Sequence, residues 1–225
     1  MQTEVISLGG SVFIQDTIDV AFLKAFKRQI LGFRDRKFVI VSGGGKVARM
    51  YITALRKEGL PVEIQSYAGI AITRINAKFL ANFFMKKQHY PLPRTLREVR
   101  TLLQKHRIVF CGSLRYEHGM TSDGTAAEIA RHLKTRFINI TNVKGVYTKD
   151  VRKFPDATFI PRLSFDELYA RATAIAYTPG QHFVLDQYAA RVIRKGKVQT
   201  YIVGKNLANL RSLLRGKHFV GTVIS

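Results

Sequence analysis

Short apolar runs alternate with helical patterns along this chain, and this alternation constrains its fold more than any other feature. Apolar residues recur at three- and four-residue spacings over 19–30, 46–58 and 70–84, which predicts amphipathic helices. Six runs have the length and composition of buried strands, at 5–8, 38–41, 108–111, 137–140, 200–203 and 222–224. Strands that alternate with helices indicate an α/β fold, a three-layer αβα sandwich around a mainly parallel central sheet.

The second half of the chain carries clear helix boundaries. Ser164 and Glu167 have the spacing of a capping box, which predicts a helix that begins near Phe165. Two further helices are predicted over 186–194 and 207–214, the second closed by Gly216. No repeat, low-complexity tract or Pro/Ser-rich linker divides the chain. We therefore expect one domain over 1–225, with two functional lobes that meet near 112–123.

The chain is strongly basic, with 37 Lys and Arg residues against 15 Asp and Glu and a formal net charge of +22. Such an excess favours an anionic partner. The cations are spread over several segments, however, rather than collected in one arm or mixed with surface aromatic residues. Nucleic acid is thus a possible partner that the sequence does not favour over an ordinary solvated surface.

No apolar run approaches the roughly 20 residues that cross a bilayer, and the first residues lack the pattern of an export signal. A cytoplasmic protein without a membrane partner is the expectation. The single cysteine, Cys111, can neither form an internal disulfide nor build a zinc site, and it is predicted to be a buried strand residue.

Glycine and polar residues follow several of the predicted strands. The segments are LGGS at 8–11, SGGGK at 42–46, CGSLRYEHGMTSDG at 111–124 and TNVKGVY at 141–147. Glycine lets the backbone approach a ligand closely, and the amides at a following helix start attract anions. In an open parallel sheet these segments share one edge, where ligands bind. Each segment alone is compatible with a simple tight turn, but together they predict a phosphate site.

The common signatures of other enzyme classes do not occur. The chain has neither the G-x-x-x-x-G-K-[ST] phosphate loop nor a G-x-G-x-x-G turn after its first strand. Histidines do not cluster with carboxylates at metal-ligand spacing, and no G-x-S-x-G elbow is present. Hydrolase and metalloenzyme interpretations therefore lose support.

Six segments in this order resemble the uridylate kinases of the amino acid kinase superfamily, particularly the archaeal type. They are ISLGGSV, VSGGGKVARMYI, GIAITRINAKFL, TSDGTAAEIA, TNVKGVYTKD and VLDQYAARVI, and the likeness covers about 5–224. The resemblance implies an αβα fold and transfer of the γ-phosphoryl group of ATP to UMP with Mg²⁺. It also implies a homohexamer, with an acceptor lobe over about 1–135 and an ATP lobe over about 136–225.

The resemblance also implies which residues hold ATP and its phosphates. Arg49 would grip phosphate oxygens in a fork geometry and Lys46 would add a second cation, both with a catalytic role. Tyr147 would lie near the adenine and Asp150 near the ribose, although Tyr147 also fits ordinary core packing. The full set for ATP and phosphate is Gly9, Gly10, Ser11, Gly45, Arg49, Thr141, Asn142, Tyr147 and Asp150.

On the acceptor side the resemblance implies that hydroxyl groups receive UMP. Asp123 would organise the reaction centre, and from the sequence it also fits the N-cap of a helix that ends at Leu133. Asp186 corresponds to a carboxylate just inside the helix that covers the ATP lobe. The implied UMP set is Gly44, Ser66, His118, Thr121 and Ser122.

The chain departs from the family pattern in four places. Ser7 and Leu8 stand where many relatives have a lysine before the first glycine pair, and Ser66 stands where relatives often have an aspartate for the ribose. Lys144 reverses a charge beside the ATP motif, and SLRYEHGM at 113–120 replaces a Pro-Gly loop. An enzyme of the same fold with another small acceptor, or a noncatalytic nucleotide sensor or RNA-associated protein, therefore stays open as an alternative.

Overall fold

The computed structural model describes residues 1–85, 90–151, 153–174 and 184–225, and it confirms the αβα architecture. The strands of the described residues are β1 (Gln2–Leu8), β2 (Arg36–Ser42), β3 (Ile108–Cys111), β4 (Phe137–Thr141), β5 (Val146–Tyr147), β6 (Phe159–Ile160), β7 (Arg162–Leu163), β8 (Thr200–Gly204) and β9 (Thr222–Ile224). All six predicted strands are among them.

The helices of the described residues lie between and after these strands. They are α1 (Gly10–Phe13), α2 (Val20–Gly32), α3 (Gly45–Lys57), α4 (Val62–Met85), α5 (Leu96–Lys105), α6 (Ser122–Leu133), α7 (Phe165–Thr173), α8 (Gln187–Gly196) and α9 (Leu207–Leu214). The capping box at Ser164 and Glu167 is formed as predicted, and Gly216 has the positive φ of a residue that closes a helix.

Three helices differ from the sequence predictions, and the first of them, α1, is not among the predicted helices. Helix α4 begins at Val62, well before the predicted start at residue 70. Helix α5 was not predicted, although Thr95 caps it by accepting a hydrogen bond from the Glu98 amide. The Thr-x-x-Glu spacing at 95–98 is a readable helix start, so the signal was present in the sequence.

Seven strands form one sheet in the order β3-β2-β1-β4-β8-β9-β7, and β5 pairs with β6 in a separate hairpin. All neighbours in the large sheet are parallel except β8 and β9, which run antiparallel. The sheet therefore runs without a break from β1–β3 into the strands of the second half of the chain.

Alternate residues of the strands face the two helical layers. Val5 of β1 belongs to the core that α5, α6, α7 and α8 cover, and Cys111 is buried in the same core as predicted. Its neighbour Ile6 belongs to the opposite core, which α1, α2, α4 and α9 cover. Helix α3 packs on the outside of α4 through Ala48, Ile52 and Ile72. Because side chains alternate along a strand, Ser7 shares the face of Val5 and lies under α6.

No helix of the described residues is both long and apolar enough to cross a membrane.

Candidate functional site

The site follows from the strand order. Strand β1 lies between β2 and β4, so the chain leaves β1 toward one edge of the sheet and later returns to its other side. Loops at such a switch point diverge and leave a crevice at the carboxyl ends of the strands. A cavity of about 620 Å³ occupies this position, lined by the loops that follow β1, β2, β3 and β4. The four glycine-containing segments thus converge on one cavity, as the sequence analysis predicts.

The first two glycine loops touch each other through their backbones. A methyl group built on Gly10 would lie 2.7 Å from the Gly43 carbonyl oxygen and closer still to the Gly45 nitrogen, and one on Gly43 would lie 2.6 Å from the Gly10 nitrogen. Gly45 has a φ of +64° and begins α3. Glycine at Gly10 and Gly43 is therefore required for the contact between the loops.

All but two of the predicted site residues line this cavity. Those that line it are Gly9, Gly10, Ser11, Gly44, Gly45, Arg49, Ser66, Thr121, Ser122, Asp123, Thr141, Asn142, Tyr147 and Asp150. Arg49 lies about one turn inside α3, so the helix carries its side chain from the glycine loop to the cavity wall. Ser66 donates to the Val62 carbonyl within α4, which leaves its oxygen able to accept a further bond.

The two exceptions are Lys46 and His118, which lie outside the lining residues. The Lys46 ammonium pairs with Asp16 at 2.5 Å on the surface, with about half of its side chain exposed. His118 is exposed on the loop before Met120. Lys144 is also exposed and outside the lining, so the charge that it reverses does not face the cavity.

The start of α6 differs from the sequence interpretation. Thr121, not Asp123, is the N-cap, and its hydroxyl accepts a hydrogen bond from the Asp123 amide. The same hydroxyl donates its proton to Asp186 Oδ2 at 2.5 Å. A phosphate group needs donors, and a hydroxyl has only one proton to give. Ser122 is therefore the better placed of the two hydroxyl groups to receive a phosphate.

Asp123 is the second residue of α6 and reaches back to the end of β1. The Ser7 hydroxyl donates to Asp123 Oδ1 at 2.6 Å, across 116 residues of sequence. The carboxyl faces the cavity on one side and protein on the others. Desolvation by this surrounding protein, together with the nearby Asp186 carboxylate, raises the pKa of Asp123 to about 7, against the lowering effect of the Ser7 bond. Ser7 thus holds the Asp123 carboxyl from near the end of β1.

Asp186 joins the starts of two helices. It is the N-cap of α8, where its Oδ1 accepts from the Ala189 amide at 2.5 Å. Its Oδ2 accepts from the amides of Thr121 and Gly124 at 2.9 and 3.1 Å. Burial raises the pKa of Asp186, and these hydrogen bonds to its charged form counter that effect. The carboxylate precedes α8 rather than lying just inside it, and it fixes α6 against α8.

The second half of the chain forms the opposite wall of the cavity. Asn142 donates to the Ser11 carbonyl at 3.2 Å, which ties the loop after β4 to the first glycine loop. The Tyr147 ring packs edge-to-face on Phe159 with the ring centroids 5.6 Å apart, and it also lines the cavity. Packing and a ligand contact are therefore compatible for Tyr147.

The sequence analysis missed several polar residues of the lining. Thr73 of α4 and Ser113 after β3 bond to each other and face the cavity, as does Asn139 of β4. Lys149 also lines it and bonds to Asp156 at 2.5 Å. Asn139 interrupts an apolar strand, which is a readable signal, whereas Thr73 and Ser113 carry no local signal that separates them from ordinary helix and loop residues.

Comparison with known proteins gives a consistent result. Residues 2–204 match the model of the amino acid kinase family. The chain is 35% identical to the uridylate kinase of Thermococcus kodakarensis over 223 residues, which covers 98% of each protein. The crystal structure of uridylate kinase from Archaeoglobus fulgidus superposes over 100% of both chains with a TM-score of 0.82 and 33% identity. UMP kinase from Ureaplasma parvum, at 19% identity and a TM-score of 0.77, covers 100% of this chain and 98% of its own and shares the fold.

Proposed function

The chain belongs to the amino acid kinase family, and on that premise we propose that it transfers the γ-phosphoryl group of ATP to UMP. The observation that carries the proposal is the single cavity into which both glycine loops, Arg49 and Asp123 converge. Two nucleotides can meet end to end there, with their phosphates over the touching glycine loops. The likeness to archaeal uridylate kinases along nearly the whole chain supports UMP as the acceptor.

The reaction requires alignment of the two substrates and neutralisation of the charge on their phosphates, and it does not require removal of a proton. An oxygen of the UMP phosphate bonds to the γ-phosphorus of ATP while the bond to the bridging oxygen breaks, and the electron pair leaves with ADP. The attacking phosphate is already ionised near neutral pH, so no general base is needed. Arg49 and Lys149 supply positive charge in the cavity wall. Asp123 then serves to orient the centre, which agrees with its fixed bond to Ser7.

Mg²⁺ fits this cavity as an ion that enters with ATP. Among the described residues no group of three or more His, Cys, Asp or Glu could hold a resident metal, and both Asp186 oxygens already accept hydrogen bonds. The phosphate oxygens would therefore hold Mg²⁺, and the carboxyl groups of Asp123 and Asp150 in the lining would favour it. Bound there, Mg²⁺ would neutralise charge on the transferred phosphoryl group.

The two substrates divide the cavity between them. UMP would lie toward α4 and α6, near Ser66, Gly44 and Ser122, and ATP toward the loop after β4 with Thr141, Asn142 and Tyr147. This arrangement keeps the acceptor lobe at about 1–135 and the ATP lobe at about 136–225. The homohexamer implied by the resemblance and the cytoplasmic location expected from the sequence stay predictions, as do direct roles for Lys46 and His118.

The proposed function is tested by steady-state kinetics with ATP, Mg²⁺ and UMP. Replacement of Arg49 by Ala removes the guanidinium that faces the phosphates, and kcat/KM should fall by about 100-fold. Lys57→Ala removes an exposed cation from the last turn of the same helix and should leave kcat/KM unchanged. Wild-type protein that forms no UDP above the Arg49→Ala background would reject UMP as the acceptor, and turnover of another phosphorylated acceptor would point to the alternative enzyme.

A further inference from the structure

Helix α4 holds two of the loops that form the cavity. Asn76 Nδ2 donates to the Gly43 carbonyl at 2.8 Å, which fixes the loop after β2. Thr73 Oγ1 accepts from the Ser113 amide at 2.9 Å, which fixes the loop after β3. The two contacts arise within one turn of one helix, so α4 sets the distance between the phosphate loop and the loop that leads to Thr121.

Arg74 adds two hydrogen bonds to the second loop. Its Nε donates to the Ser113 carbonyl at 3.1 Å and its Nη2 to the Leu114 carbonyl at 2.7 Å. Gly112 lies against the same turn of α4, because a methyl group at this position would come within 2.6 Å of the backbone nitrogen of Arg74. The guanidinium thus binds two successive carbonyl groups at the start of the loop after β3. A planar guanidinium can donate two hydrogen bonds in this geometry, whereas the ammonium of a lysine cannot match it.

Arg74 does not itself reach the main cavity. It lines a separate outer cleft with Ile75, Lys78, Pro91, Leu92 and Arg94. Partial burial and the nearby Arg94 charge lower the pKa of Arg74, which means that the surroundings disfavour the charged form of its guanidinium. The two backbone carbonyls are its hydrogen-bond acceptors there. Ser113, on the other side of the same peptide groups, faces the main cavity.

We propose that Arg74 is a positioning residue for the acceptor nucleotide, acting through the Ser113 and Leu114 carbonyls without touching the substrate. The inference rests on the proposed function, because it assigns the acceptor to the side of the cavity that α4 and the loop after β3 enclose. Arg74 keeps Ser113 and the following segment in place for the acceptor. The ATP side is built on the loop after β4, which Arg74 does not contact, so the KM for ATP is independent of it.

Two variants and one control test this role by steady-state kinetics with both substrates varied. Arg74→Ala should raise the KM for UMP about tenfold or more, with the KM for ATP and kcat within about twofold of wild type. Arg74→Lys keeps the charge but has no fork, so it should recover only part of the loss. Lys78→Ala removes a cation from the same outer cleft and should leave both KM values unchanged. Equal rises in both KM values, or full rescue by lysine, would overturn the proposal.

Hydrogen exchange separates this inference from the proposed function. In Arg74→Ala the amides of 113–120 should exchange faster than in wild type, whereas those of 43–45, which Asn76 holds, should not change. This readout requires no turnover. Unchanged exchange over 113–120 would overturn the positioning role even if UMP is the acceptor, and absent UMP turnover with faster exchange would reject the acceptor and retain the structural part.

Discussion

Replacement of Asp123 by Asn is expected to stabilise the protein at pH 8 while it removes most of the activity. The pKa of Asp123 is about 7 in the folded protein, against 3.8 for an unperturbed aspartate. Between these values the native state holds a proton that the unfolded state has lost. The contribution of the Asp123 carboxyl to the free energy of unfolding is therefore fully present below about pH 4. It decreases as the pH rises toward 7 and is constant above that pH. Asparagine carries no charge and does not incur this loss.

The measurement is urea unfolding of both proteins at pH 4 and pH 8. At pH 8 the free energy of unfolding of Asp123→Asn should exceed that of wild type by about 2 kcal/mol. This is less than the free energy that corresponds to the whole pKa shift, because the carboxyl partly faces solvent in the cavity. At pH 4 the two should agree. Asp35→Asn neutralises a carboxylate that is 78% exposed and should change neither value. A destabilised Asp123→Asn protein at pH 8 would contradict the buried charge described here.

The same substitution should lower kcat by about 100-fold, because a fixed charge that orients the centre is replaced by a neutral amide. The stability gain and the activity loss have one cause, namely a carboxyl group that Ser7 and the surrounding protein hold at the cavity wall. An Asp123→Asn protein with wild-type kcat would show that the carboxylate takes no part in transfer.

Replacement of Gly10 by Ala should be the most damaging glycine-to-alanine change among the described residues. The added carbon would meet the backbone of Gly43, Gly44 and Gly45, and backbone atoms cannot turn aside as a side chain can. The free energy of unfolding should fall by about 3 kcal/mol or more, and activity should be lost with the loop contact. Thermal or urea unfolding measures the effect.

Gly32→Ala is the matched control for this prediction. Gly32 is the last residue of α2, and a methyl group there would have no atom within 4 Å. Alanine in such a helix position should be neutral or stabilising by up to about 1 kcal/mol. A Gly10→Ala protein as stable as Gly32→Ala would mean that the two glycine loops are further apart than described.

Local sequence patterns predict much of the architecture. The apolar runs of β3 and β9 coincide with the predicted strands, and Ser164 with Glu167 marks the start of α7. Each of these signals depends on neighbours within a few residues, such as the period of a strand or the reach of a capping side chain. The family likeness added the ordered motifs, and nearly all the residues they single out meet at one cavity.

Two differences from the sequence interpretation involve contacts between residues that are distant along the chain. From the sequence Asp123 also fits the N-cap of α6, but Thr121 is the N-cap, and its hydroxyl donates to the buried Asp186, 65 residues away. Lys46 has the helix position expected of a phosphate ligand, yet in this structure its side chain pairs with Asp16. In both cases the side chain bonds to a partner that is distant in sequence, and local patterns do not predict that partner.

The sequence by itself therefore determined the alternating α/β order, the cap of α7 and the glycine motifs, because each is set by spacing and backbone preference over a few residues. Only the tertiary structure decided that Ser7 meets Asp123, that Arg74 holds the loop after β3 and that Gly10 touches Gly43. These contacts arise when the parallel strands bring remote loops to one edge of the sheet, and no local pattern encodes which atoms then come within hydrogen-bond distance.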